Sequence, residues 1–325
     1  MNNYNLIEKI LHKVALSSQF MREITFDAEN SFVNLDPSSE SHVFITGLAR
    51  SGTTILLNSL YKSNEFASLT YADMPFVLAP NLWRKIYRQK IDFGLKERAH
   101  GDGIKFSIDS PEAFEEVFWK TFEEDKSEVL SKFKVYIENI LHKYDKERYL
   151  SKNNQNIRRV NFLAESFPNS QILIPFREPS QHAYSLLRQH KKFINYSKKD
   201  NFISKYMKYI GHTEFGPNYK TLYEDDLLFK DDLNLNHWIE QWYFIYKDCF
   251  SKLKNKENVI FISYEKMCNE SDYWFEILEL LNIKDFYSFK FKESFKDINL
   301  QIDNDLKEKA ISLYAEITES IQNLK

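Results

Sequence analysis

Arg50, Ser51, Gly52, Thr53 and Thr54 stand together in HVFITGLARSGTTILLNSL, just after a short β-branched run and just before a helical pattern. Residues of these types in that setting hold phosphate or sulfate. A strand entering a glycine turn and then a helix aims backbone amides, hydroxyls and the helix dipole at one point. Gly47 and Gly52 have the spacing of the triphosphate loop G-x-x-x-x-G-K-[ST], but Thr53 takes the place of its lysine and Arg50 lies inside it. A triphosphate site also needs an aspartate closing a later buried strand to help hold Mg²⁺, and here those strands run into PFRE and FISYE. The loop therefore suits an anion of lower charge than a triphosphate, with no metal expected. The plain alternative is a Ser/Thr-capped helix after a glycine turn.

A second group lies in QILIPFREPSQHAYSLLRQH, residues 171–190. Arg177 follows an apolar run, Pro179 fits the first turn of a helix, and Ser185 falls about two turns into it. A planar guanidinium at a strand end and a hydroxyl on the next helix can converge on a second phosphate. The structural alternative for Arg177 is an ion pair with Glu178 or a neighbouring acid. His190, further along the same helix, is a candidate proton acceptor facing a cleft. His42, just before the first strand, is expected at the surface. Glu115 and Glu116, with Trp119 in FEEVFWKTF, suggest glycoside chemistry by paired carboxylates. An amphipathic helix burying Phe114, Val117, Phe118 and Phe122 explains the cluster better and leaves both acids solvated, though either could line an acceptor cleft.

These residues need elements to place them. Residues 42–46 read as a short buried strand and 52–63 as the helix after the glycine loop. Further brief apolar runs occur in RYLSK (148–152), QILIPF (171–176) and NVIFIS (258–263). They are separated by the helical patterns of 111–122, 154–167 and 235–253. Short strands alternating with helices indicate a parallel sheet covered on both faces. A late helix carries Leu306, Ala310, Leu313 and Ile317 on one face. Residues 84–110 and 192–232 lack periodicity and read as excursions, where an α/β protein usually places substrate recognition. No repeat and no Pro- or Gly-rich linker divides the chain. We read one domain over 1–325, with an N-terminal helical extension (1–40), a core (42–270) and a C-terminal helix (300–325).

The 325 residues are 43% hydrophobic with a net charge of −3, so no global attraction to nucleic acid or anionic membrane is expected. An anion site must then be built locally. Two cysteines, Cys249 and Cys268, make no disulfide framework and no metal-ligand spacing, and a reduced, cytoplasmic setting fits. Leu6, Ile10, Leu11 and Val14 fall at helical spacing, which suggests a surface helix packed on the domain rather than a signal peptide or anchor. No run approaches the roughly 20 apolar residues of a transmembrane segment.

Together the two anion elements resemble the sulfotransferases that use 3′-phosphoadenosine 5′-phosphosulfate. GLARSGTTIL is similar to their 5′-phosphosulfate loop, commonly P-R-S-G-T-T-x-L, and FREPSQHAYS to their 3′-phosphate element, R-[DE]-P-x-x-x-x-x-S. The stretch YLSKNNQNIRRVNFLAESFPNSQILIPFREP resembles the family's run from a lysine through FP into the second element, and NVIFISYEKM its late strand and Tyr-Glu. The likeness spans roughly 42–270. It implies a P-loop-like, three-layer α/β fold with a central parallel β-sheet flanked by helices, and in-line transfer of a sulfuryl group to a hydroxyl.

The resemblance also implies roles. Arg50 is expected on the 5′-phosphosulfate, Ser51, Gly52, Thr53 and Thr54 on the 5′-phosphate, and Arg177 and Ser185 on the 3′-phosphate. Lys152 stands where tyrosyl-protein sulfotransferases keep a lysine that stabilises the transferring group. In relatives with R-S-G-T-T a carboxylate about twenty residues after the loop arginine takes the acceptor proton, which points to Asp73 in SLTYADMPFVLAP, with His190 as its rival. Flanked by Tyr71, Met74, Pro75 and Phe76, Asp73 has the apolar neighbours that raise a carboxylate pKa. Its structural alternative is a turn or helix-cap aspartate. Ala49 replaces the usual proline, and the C-terminal R-K-G of many small-molecule sulfotransferases is absent. Both departures favour the carbohydrate and tyrosyl-protein side, bacterial in type, with a glycan acceptor and 3′,5′-adenosine bisphosphate as product. The competing readings are a nucleotide kinase with a degenerate loop and a non-catalytic nucleotide-binding protein. Adenine contacts and oligomeric state are not legible in the sequence.

Overall fold

Val43, Phe44 and Ile45 are wholly buried because their strand, β1 (Val43–Ile45), has neighbours on both edges and helices around it. The computed structural model describes residues 6–33, 41–86, 96–97, 105–125, 127–199, 201–223, 227–285, 287–292 and 295–321. The remaining strands are β2 (Phe66–Ala67), β3 (Lys96–Glu97), β4 (Lys105–Phe106), β5 (Arg148–Lys152), β6 (Gln171–Phe176) and β7 (Val259–Ser263). β3 and β4 pair with each other, antiparallel. The other five make one all-parallel sheet in the order β2-β5-β1-β6-β7. This is the α/β architecture expected from the alternation of short strands and helices.

The order matters for function. β1 lies between β5 and β6, so the chain steps to opposite sides of it, and a crevice opens outside the carboxyl ends of the strands at such a point. Ile45 is in register with Lys152 on one side and Leu173 on the other. The segments that leave these strand ends begin with the glycine loop, with Asn153 and with Arg177 respectively. Every anion-binding candidate named from the sequence is therefore delivered to one edge of the sheet.

The helix Leu235–Leu253 packs against both Pro179–Lys199 and Asn304–Ser320. Trp242 and Tyr246, at its centre, are fully buried. Asn234 and Asp303 start two of these helices, accepting bonds from Asn236 N (2.9 Å) and Leu306 N (2.9 Å). Leu306, Ala310, Leu313 and Ile317 are buried along one face, as the spacing implies.

Three local expectations change. The helix expected over 111–122 begins only at Glu116 and runs to Phe122. The pattern over 154–167 divides into a 3₁₀ turn, Asn154–Arg158, and a helix, Val160–Ser166, because the Asn153 side chain takes Gln155 N at 3.0 Å and starts a tighter turn. In the first helix, Leu6–Leu16, two residues of the apolar stripe face solvent and Leu11 is half-buried. Ile10 is 52% exposed and Val14 45%, while His12, Ala15 and Leu16 are buried. Among the described residues no helix is long and apolar enough to cross a membrane. Much of the first excursion, 87–95 and 98–104, lies outside the described residues. The second continues as the end of the helix Pro179–Lys199, the helix Asn201–Tyr209 and a loop.

Candidate active site

The chain leaves β1 at Thr46, whose amide bonds Leu173 O at 2.9 Å. Gly47 follows at φ 147°, where a Cβ would come within 3.0 Å of the Pro175 carbonyl. Arg50 is a non-glycine residue in the left-handed region, φ 72°. Gly52, at φ 104°, starts the helix Thr53–Tyr61 without any side-chain cap. The first helical amides have no intrahelical partner, and no side chain caps them, which is the arrangement that anions occupy at helix starts. Thr53 Oγ1 donates to Asn154 Oδ1 at 3.2 Å. Ser51 differs from its neighbours: its side chain is buried beside Tyr246, and its amide closes a turn onto Leu48 O at 3.2 Å.

The second element forms as its sequence suggests. Glu178 caps the helix Pro179–Lys199, accepting from Ser180 N at 3.1 Å and Gln181 N at 2.6 Å, a carboxylate at the positive end of the helix dipole. The acid near Arg177 is Glu265, not Glu178: Arg177 Nε is 4.0 Å from Glu265 Oε1, and its guanidinium lies over the Tyr264 ring at 5.1 Å. Glu265 also accepts from Glu178 N (3.0 Å) and Tyr314 OH (3.1 Å), and burial pushes its carboxyl up. The Tyr-Glu pair after the last strand thus braces the second anion element.

The helix Pro179–Lys199 turns two residues onto the glycine loop. Arg50 Nε donates to Ser185 Oγ at 3.2 Å. His182 Nε2 lies 2.8 Å from the Ala49 carbonyl, which can only accept, so the ring proton sits on Nε2. Burial, with the charges of Arg177 and Arg50 added, lowers the His182 pKa to about 3 and keeps it neutral.

One pocket opens at this edge. Its floor is Ala49, Arg50, Thr53 and Thr54 of the loop, with Lys152 and Asn154 from the end of β5 beside them. Its outer wall is Met207, His212, Glu214 and Phe215, from the second excursion. That wall is tethered at several points. Gly211, at φ 77°, sits so close to Glu116 that a Cβ would meet its Cγ at 2.5 Å. His212 Nε2 bonds Ala113 O at 3.0 Å, Gln155 Nε2 donates to Thr213 Oγ1 at 3.3 Å, and Asn154 Nδ2 donates to Glu214 Oε1 at 3.4 Å.

The two proton-acceptor candidates are not brought to this pocket. Asp73 is 0% exposed in a 3₁₀ turn, where it pairs with Lys143 Nζ and accepts from Thr70 N (2.7 Å) and Tyr144 OH (2.7 Å). It closes a capping box with Thr70, the turn role weighed against it in the sequence. His190 lies behind the outer wall, 1% exposed, its Nδ1 accepting from Gly216 N at 3.3 Å and its Nε2 3.5 Å from Asp232 Oδ2. Burial lowers its pKa, with Asp232 pulling the other way.

Three further residues are corrected, one of them Glu116, which is half-buried rather than solvated, paired with Arg159 Nη1 at 2.9 Å and accepting from Asn153 Nδ2 at 2.8 Å. His42 is buried rather than at the surface, its Nδ1 accepting Tyr149 N at 3.2 Å, and burial with the charges of Arg148 and Lys134 lowers its pKa to about 4. Glu115 is buried rather than solvated, accepting from Asn156 Nδ2 (2.6 Å), Trp119 Nε1 (2.8 Å) and Tyr149 OH (3.1 Å). Asn154, His212 and Glu214 were not singled out from the sequence. The only local mark of the last two is a glycine on either side, in GHTEFG.

Comparisons with known proteins are consistent with these elements. A search of curated proteins returns no match. Among solved structures, the chain is similar to sulfotransferase STF1 from Mycobacterium tuberculosis H37Rv at 10% identity and a TM-score of 0.47, covering 98% of this chain and 86% of that one. Sulfotransferase STF9 from Mycobacterium avium gives 10% identity and a TM-score of 0.43, covering 97% and 79%. A sulfotransferase from Alicyclobacillus acidocaldarius gives 14% identity and a TM-score of 0.39, covering 88% and 96%. Likenesses at this level carry no argument about activity. The family model described as the sulfotransferase family matches residues 42–214, which include the glycine loop, Lys152, Arg177, Ser185 and the pocket wall up to Glu214. That match spans more than half of the chain, and the chain belongs to the sulfotransferase family.

Proposed function

We propose that the protein moves a sulfuryl group from 3′-phosphoadenosine 5′-phosphosulfate to a hydroxyl of a carbohydrate acceptor. The observation that carries this reading is the bond from Arg50 to Ser185, which joins the two anion elements at one place. A donor with a phosphosulfate at one end and a separate 3′-phosphate needs two anion sites held at fixed spacing. Arg50, with the amides of Thr53 and Thr54 and the Thr54 hydroxyl, takes the phosphosulfate. Gly52 contributes through the backbone, and Ser51, whose amide closes the turn onto Leu48 O, shapes the loop around it. Arg177 and Ser185 take the 3′-phosphate. Lys152, 6% exposed at the end of β5, stabilises charge on the group in transfer, which is worth more in a water-poor pocket than at the surface.

Ala49, where many members of the family have proline, is the departure that supports a carbohydrate acceptor. A glycan precursor in the cytoplasm is the setting we favour.

The test is a binding comparison followed by an activity assay. The purified protein should bind 3′,5′-adenosine bisphosphate at least about tenfold tighter than Mg²⁺-ATP, a difference of about 1.4 kcal/mol. It should also move labelled sulfate onto a member of a glycan panel. Tighter binding of Mg²⁺-ATP would overturn the reading in favour of a kinase. Bisphosphate binding with no transfer to any acceptor would favour a non-catalytic nucleotide-binding protein.

A further inference from the structure

With Asp73 and His190 both held away from the pocket, the acceptor's proton needs another destination. The geometry points to Glu214 as the group that takes it. This inference rests on the sulfuryl-transfer reading above and names a residue that the resemblance does not supply.

A proton acceptor has to line the same pocket as the transferring group, within hydrogen-bond reach of the attacking hydroxyl. The ionisable side chains lining this pocket are Arg50, Lys152, His212 and Glu214. Arg50 and Lys152 are cationic donors on the floor, beside the uncapped helix end where the donor's anion belongs. His212 donates its Nε2 proton to Ala113 O, which fastens the ring to the wall and leaves Nδ1 as its one accepting atom. Glu214 is the carboxylate, and it lines the pocket from the wall opposite the loop residues.

Its placement relative to the loop is specified by one side chain. Thr53 Oγ1 donates to Asn154 Oδ1 at 3.2 Å, and Asn154 Nδ2 donates to Glu214 Oε1 at 3.4 Å. The first residue of the phosphate helix and the carboxylate are therefore linked through a single amide. Thr46 Oγ1, 3.5 Å from Asn154 O, helps hold that amide's backbone. One carboxylate oxygen is thereby oriented by Asn154, and the other is left to meet the hydroxyl.

The step balances without a further reagent. The acceptor oxygen forms a bond to sulfur as the bond from sulfur to the bridging phosphate oxygen breaks. That electron pair leaves on 3′,5′-adenosine bisphosphate, and the hydroxyl proton passes to Glu214 and then to solvent.

The experiment compares wild type with Glu214→Gln and Glu214→Asp, using donor carrying radiolabelled sulfur. Transfer is read in two ways: as label moved to a mixed panel of neutral and acidic polysaccharides, and as sulfate released to water. Binding of 3′,5′-adenosine bisphosphate is measured alongside. Glu214→Gln is expected to lose about 10²- to 10⁴-fold in kcat while its bisphosphate Kd stays within about threefold of wild type, with Glu214→Asp in between. A Glu214→Gln enzyme that keeps kcat within about threefold overturns the assignment and leaves the donor reading intact. So does one whose loss in turnover is matched by its loss of bisphosphate affinity. A wild-type protein that binds no bisphosphate and neither transfers nor releases sulfate overturns the donor reading and this assignment together.

Discussion

Arg50 and Ser185 are 135 residues apart in sequence, yet Arg50 Nε donates to Ser185 Oγ at 3.2 Å. His182, one helical turn before Ser185, donates in the opposite direction, from its Nε2 to the Ala49 carbonyl. The loop after β1 and the helix after β6 are thus fastened at two adjacent loop residues, and the left-handed Arg50 is held where its guanidinium reaches both elements. Cutting either fastening should be felt at both phosphate positions.

Ser185→Ala removes the acceptor for Arg50 and a hydroxyl from the 3′-phosphate side. Affinity for 3′,5′-adenosine bisphosphate should fall about tenfold, close to the net worth of one hydrogen bond to a charged group. Titration calorimetry against 5′-AMP, which lacks the 3′-phosphate, should show a smaller loss. Equal losses for both ligands would mean that Ser185 acts only through Arg50.

Asp73→Asn tests whether Asp73 serves folding or chemistry. The buried carboxylate pairs with Lys143 and accepts from Tyr144 and Thr70, and removing its charge leaves the Lys143 ammonium buried without its partner. Breaking such a pair costs about 3–5 kcal/mol, so the urea midpoint should drop sharply. The fraction that remains folded should still bind bisphosphate. A variant of unchanged stability that loses turnover would return Asp73 to the chemistry.

Acid should weaken the fold through two buried histidines. His182 has a pKa lowered to about 3 and His42 one lowered to about 4, against about 6.5 in an unfolded chain. Between these values the unfolded chain binds the protons that the folded protein refuses. Stability is therefore full above pH 6.5 and declines as the pH falls towards 4. Thermal melts from pH 7.5 to 4.5 should show that decline. His42→Gln should flatten it, and an unchanged slope would locate the effect elsewhere.

Gly52→Ala carries two separable defects. The φ of 104° disfavours any side chain, and a Cβ would stand 2.7 Å from the Tyr264 ring. Loss of stability by about 1–3 kcal/mol and weaker bisphosphate binding are expected. Measured against Tyr264→Ala alone, which itself loses the ring beneath Arg177, Gly52→Ala should recover part of its loss by chemical denaturation. No recovery would assign the whole defect to the backbone.

Much of this site could be read before folding. The strands were legible because Val43–Ile45, Gln171–Phe176 and Val259–Ser263 are short apolar runs with turn or helix signals at their ends. Once the runs are strands of one parallel sheet, Arg50, Lys152 and Arg177 must emerge at the same edge. What could not be read depends on partners far away in the chain. Asp73 sits among apolar residues in sequence, but its lysine and tyrosine come from a helix some seventy residues later. Glu115 alternates like a surface acid until Asn156 and Tyr149 close over it. The wall at 211–216 has no periodicity, and it is held by Ala113, Asn154, Gln155 and His190 from three other segments.

Those scattered tethers have a consequence for how the molecule can change. The side proposed to hold the donor is a closed frame, with the loop fastened to the helix Pro179–Lys199 and that helix braced by Glu265. The side facing the acceptor is a short span slung between Gly211 and Gly216, both at φ 77°. Within the span, Thr213 is held by Gln155 and Phe215 stacks on Phe193 of the helix Pro179–Lys199, so Thr213 is the position less bound to the frame. On the proposed assignment, substitution there should change acceptor preference more than donor affinity, which makes it the place to begin when redirecting the enzyme to a new hydroxyl.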